Sequence, residues 1–182
     1  MKFIDQIVVN RKIEPVFAWL AQPEHLVQVI TLGPAGQKTS IDPQPPPSSQ
    51  GSSSSRPPLQ SEVEIHNLTA IPLRVGATFQ FVIRVKVQSQ EWRPFHSGSV
   101  EITEYMPPDS LGFKSYRKKY PPVDYLMTLH SQQERTSITC AAMTHPGWRG
   151  LLYLLPVFTS LSKTVLAGQM HMLKVQLERE TE

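Results

Sequence analysis

The chain has 182 residues, a formal net charge of +3 and 40% hydrophobic residues, so it is long enough for one domain with a sizeable core. The charge is mild, the densest basic run (Arg117-Lys118-Lys119) reads as a solvated strand end or loop, and no nucleic-acid motif accompanies it, which argues against a nucleic-acid partner. Cys140 is the one cysteine, which excludes an intrachain disulfide and any CxxC metal or redox motif.

Phe3–Val9 is β-branched and predicts a first strand, and Asp5 and Gln6 interrupt any apolar run that a signal peptide would need. Ile13–Leu20 (IEPVFAWL) predicts a short helix with Pro15 in its first turn, where proline is tolerated. A second short helix follows Gln22-Pro23 and runs through Leu26 and Val29. From Pro34 to Ser61 the composition changes, with seven of the seventeen prolines and eight serines. Few of those residues could be buried to offset the entropy of ordering them, so a disordered loop inserted into one domain (residues 1–182) is expected. The 33 residues before it are too few to fold alone.

Glu62–Thr69 alternates like an edge strand. Ala77–Val87 alternates most clearly, with Phe79, Phe81, Ile83, Val85 and Val87 on one face and Gln80, Arg84, Lys86 and Gln88 mostly on the other. Further strands are expected at Gly98–Tyr105, Leu111–Tyr116, Asp124–His130 and Thr136–Met143, with turn signals at Pro107-Pro108-Asp109, Pro121-Pro122 and Gln132–Glu134. One solvated face and one covered face suit an antiparallel sheet, and strands segregated from helices give an α+β class.

Pro156–Arg179 predicts a helix of about six turns with proline at its start. Phe158, Leu161, Val165, Leu166, Met172, Leu173 and Leu177 form its apolar arc, while Lys163, Ala167, His171, Lys174 and Glu178 lie opposite. Ser162, Gln169 and Gln176 recur every seven residues near the middle of that arc. Two readings stand: ordinary packing with local hydrogen bonds, or contact with a ligand or water in an internal cavity.

The order of IEPVFAWLAQPEHL, LTAIPLRVGATFQF, VEITEYMPPDSLGFKS, PGWRGLLYLLP and LKVQLE resembles the SRPBCC, or START-like, superfamily, and within it the polyketide cyclase/dehydrase-like branch. The resemblance spans the chain apart from the 34–61 insert. It implies a helix-grip fold, in which a curved antiparallel sheet of six to seven strands wraps a long C-terminal helix and leaves a cavity. The function it implies is binding of a small hydrophobic ligand such as a lipid, isoprenoid or aromatic polyketide, as carrier or sensor. Phe79, Phe81, Ile83, Tyr116, Tyr125, Phe158, Leu161, Ser162, Val165, Gln169 and Met172 are the candidates to line that space, or equally to fill it.

The chemistry-bearing residues are sparse. The six histidines show no HxH, HxxH or HExxH spacing, so neither a metal site nor a cofactor is expected. His96 and His130 stand at strand ends, and either beside a carboxylate such as Asp124 is a weak acid/base candidate for a cyclase or dehydratase. Without such a pair the expectation leans away from an enzyme. Trp148–Leu155 offers a transient membrane contact or a homodimer surface, but the Leu151–Phe158 apolar run is too short to span a bilayer. A scaffold acting through the proline-rich loop is the remaining alternative. A cytoplasmic setting follows from these readings.

Overall fold

A computed structural model describes residues 1–31, 59–87, 91–118, 120–144 and 156–179, with the side chains of the last helix described from Lys163 onward. Within them the chain runs β1 (Lys2–Val9), α1 (Ile13–Leu20), α2 (Pro23–Thr31), β2 (Leu59–His66), β3 (Thr78–Val87), β4 (Arg93–Met106), β5 (Ser110–Arg117), β6 (Tyr120–Gln132), β7 (Arg135–Thr144) and α3 (Pro156–Arg179). The predicted insert from Pro34 to Pro58 and the Trp148–Leu155 segment lie outside the described residues. Its expected end at Ser61 is too late, because β2 already pairs with β3 from Leu59↔Val87.

Period-two alternation builds one antiparallel sheet, ordered β1-β7-β6-β5-β4-β3-β2. The first two strands therefore sit at opposite edges, with α1 and α2 between them in sequence. Inner positions alternate cleanly: Phe79, Phe81 and Ile83 on β3, Val100 and Ile102 on β4, Leu111 and Phe113 on β5, and Val123, Tyr125, Met127 and Leu129 on β6 are all buried. Each fully buried aliphatic or aromatic side chain contributes about 1.5–3 kcal/mol, so this row is the main source of stability.

The sheet bends at three irregularities of register: Ile83/Arg84, Ile102/Glu104 and Ser115/Arg117. The third accommodates Pro121 and Pro122. They had been expected in a turn, but β6 begins at Tyr120, and the two prolines fall between the pairs Arg117↔Tyr120 and Ser115↔Val123. A bulge is where a missing N–H does least harm to a ladder. Gly98 serves the same curvature. A Cβ there would lie 2.5 Å from the Tyr116 carbonyl oxygen and 2.8 Å from the Phe81 ring, so only glycine lets these strands close up.

The helices complete the concave side. α1 buries Ile13, Val16, Phe17, Trp19 and Leu20, and α2 buries Leu26, Val27, Val29 and Ile30. α3 comes closest to β1 and α2 and buries Leu166, Gln169, Met170, Leu173 and Leu177. The apolar arc is thus rotated from the expected one: Met170 is fully buried, whereas Val165 and Met172 are half-buried. Contact with α2 as well as the sheet edge explains the rotation, because it covers a flank of the helix that a sheet alone would leave open.

Candidate ligand-binding site

The sequence-predicted site residues divide between the two faces of the sheet. Phe79, Phe81, Ile83 and Tyr125 lie on the concave face and are at most 6% exposed. Tyr116 does not join them. Leu111, Phe113 and Ser115 point inward, so strand alternation turns Tyr116 outward, where it is 36% exposed and its hydroxyl donates to Glu101 at 3.1 Å. Val165 and Met172 are half-buried on α3, and the side chains of Phe158, Leu161 and Ser162 lie outside the described residues.

Gln169 stands at the centre of the inner side. Its Nε2 donates to the Ile30 carbonyl at 3.1 Å. That carbonyl belongs to the last turn of α2, which has no donor of its own to offer it. Gln169 also hydrogen-bonds Tyr125, and so ties α3, α2 and β6 together. The packing reading of this glutamine is therefore realised in protein contacts. Burial pushes the Tyr125 phenol up to about 12, with the nearby Arg117 charge and the Gln169 hydrogen bond pulling the other way. The ring stacks on Phe113 at 5.0 Å between centroids.

Two polar residues that sequence reasoning missed complete this region. Ser115 is 1% exposed, pairs across the ladder with Val100 and Val123, and its Oγ finds no hydrogen-bond partner among the described residues. A buried hydroxyl without a partner costs about 1–3 kcal/mol, so it demands an explanation. Arg117 follows two residues later on the same face, opposite Gly98, which offers no side chain. The basic run had been read as a solvated strand end. Lys118 is exposed as expected, but Arg117 is half-buried, and its charge acts on both Tyr125 and His96. Counting by twos from Phe113 would have placed both residues.

The acid/base candidates do not assemble. His96 pairs with Ile83 on the concave side, where burial and then the Arg117 charge lower its pKa. Asp124 lies on the outer face, 3.7 Å from Lys114, and His130 is exposed further along the same strand. Among the described residues no ion pair joins either histidine to a carboxylate. Cys140 is buried among the inner residues, and burial together with Asp5 pushes its thiol up to about 12, which leaves it a small hydrophobe. Among the described residues no cluster of three His, Cys, Asp or Glu side chains suited to a metal ion occurs.

An open groove of about 410 Å³ is lined by His66, Gln80, Phe81, Ser99, Tyr116 and Arg117 among others, and so takes in residues that strand alternation assigns to both faces of the sheet. No helix among the described residues is long and apolar enough to cross a membrane.

No protein-family model matches the sequence, and no curated protein matches it. Solved structures do resemble it in three dimensions. Protein CV1439 from Chromobacterium violaceum superposes with a TM-score of 0.57 at 12% identity, over 97% of this chain and 96% of that one. Ara h 8.0201 gives 0.57 at 9% identity, over 97% and 96%. DynU16, a protein of the dynemicin biosynthetic locus, gives 0.50 at 16% identity, over 97% of this chain and 47% of that one. The chain has the helix-grip fold of the SRPBCC, or START-like, proteins.

Proposed function

We propose that this chain binds a small hydrophobic molecule between the concave face of the sheet and α3, acting as a carrier or sensor. The observation that carries the reading is the Ser115 hydroxyl: 1% exposed, unpartnered among the described residues, and set in a wall of apolar side chains. Ligand sites of this kind combine a mostly apolar lining with a few placed polar groups. The separation of His96 from Asp124, which lie on opposite faces, favours binding over acid/base catalysis. The likeness to Ara h 8.0201 and DynU16 supports the architecture such binding requires.

Native mass spectrometry of the intact chain, followed by solvent extraction, tests the reading. A stoichiometric lipid, isoprenoid or aromatic polyketide is the expected adduct. A bare mass, together with no thermal stabilisation by a panel of apolar compounds, overturns it.

A further inference from the structure

We propose that two copies of this chain join through the free edge of β1, pairing antiparallel about a two-fold axis so that one sheet runs through both. The proposal stands apart from the binding reading above, because it uses the edge of the strand and the outer face of the sheet.

The hydrogen-bond pattern shows what that edge offers. Met1 and Thr144 exchange both of their backbone bonds, at 2.8 and 2.9 Å. With β1 and β7 in unbroken register, the alternation of an antiparallel ladder then fixes the rest. Phe3, Asp5, Ile7 and Val9 turn their N–H and C=O groups toward β7. Lys2, Ile4, Gln6 and Val8 turn theirs to the open side, where no described strand pairs with them.

The same four residues carry the outer-face side chains, and two of them are exposed aliphatics. Ile4 is 61% exposed and Val8 36%, whereas Phe3 and Val9 on the other face are buried. Sheet edges are commonly guarded by charge, proline or a bulge. β2, the opposite edge, follows that rule with Glu62 and Glu64 on its outer face. β1 has no proline and no bulge, and its one outer-face charge is Lys2, at its very start.

The strand is complementary to itself in one register. Side chains of one face must meet across the seam, so the axis passes through a residue position. Centred on Asp5, the pairing would set two carboxylates directly opposite each other, which destabilises a ladder. Centred on Ile4, it would engage a shorter stretch of strand. Centred on Gln6, it sets Ile4 against the partner's Val8, and Gln6 against the partner's Gln6. All of these residues present their backbone groups to the open side, so about six hydrogen bonds form. The exposed aliphatic side chains cover one another beside them.

Sedimentation equilibrium of the full chain at micromolar concentrations is expected to show a reversible dimer. Ile4→Lys puts a charge on the seam while its exposed position spares the core, and is expected to weaken the dimer about tenfold or more. Val75→Lys, at an apolar residue that is also 61% exposed but lies outside the edge, should leave it unchanged. Gln6→Cys checks the register: facing Cα atoms about 5.5 Å apart suit a disulfide, so oxidation with diamide should give a covalent dimer. Ile4→Cys faces the partner's Val8 and should not cross-link, and the native Cys140 is buried. A monomer throughout, a dimer that Ile4→Lys leaves intact, or a dimer whose Gln6→Cys form does not cross-link overturns the proposal.

Discussion

The two faces of this sheet treat polar side chains in opposite ways. On the outer face they are paired: Arg84 meets Glu64 at 3.1 Å, Lys114 meets Asp124 at 3.7 Å and reaches over the Tyr116 ring at 5.7 Å, and Tyr116 donates to Glu101. Such exposed pairs contribute about 0–1 kcal/mol each, so they tune the surface and do little to hold the fold. On the inner face, Gln169 is engaged but Ser115 finds no partner among the described residues, inside the core that supplies the stability. A folding optimum would place an alanine there. The difference teaches that the inner face serves something besides stability, since partners were available to polar groups one residue further along the same strand.

The largest test of that contrast compares two aromatic neighbours on β5. Phe113 is fully buried and stacked on Tyr125, so Phe113→Ala is expected to lose about 3–5 kcal/mol in urea unfolding. Tyr116→Phe, three residues on but facing out, is expected to lose about 0.5 kcal/mol or less. Similar losses from the two would mean that the faces are not energetically distinct.

A smaller effect of opposite sign sharpens the point. Ser115→Ala removes a buried hydroxyl that no described residue satisfies, so the ligand-free chain is expected to gain about 1 kcal/mol. The same change should weaken guest binding, the usual exchange of stability against function. A loss of stability on denaturant titration would show that the hydroxyl is engaged in the fold itself.

Much of this architecture was legible from pattern alone. α3 begins at Pro156 and ends at Arg179 as expected, because proline at the start and a sustained helical period mark it without tertiary help. Strands segregated from helices marked the α+β class, while the helix-grip topology was implied by the resemblance to the SRPBCC proteins. What failed did so for physical reasons. The face of α3 turned toward Met170 because α2 packs on it, a contact made across a long stretch of sequence that no local period records. Tyr116 was placed inside on side-chain type, although the alternation of Leu111, Phe113 and Ser115 assigns it outward. Arg117 was lost in a basic run whose neighbour Lys118 is solvated, yet one residue of strand separates the two faces.

His96 provides the finest distinction between inside and outside, through pH. Burial and the Arg117 charge lower its pKa from 6.5 in the folded chain, so the unfolded chain binds that proton more readily. Stability linked to His96 is therefore complete above pH 6.5 and is lost as pH falls from there toward the lowered folded value. Urea midpoints followed downward from neutral pH should fall more steeply in the unaltered chain than in His96→Gln. Parallel slopes in the two would mean that His96 is as well solvated as a surface histidine. The cationic environment assigned to the end of β4 and β5 would then have to be withdrawn.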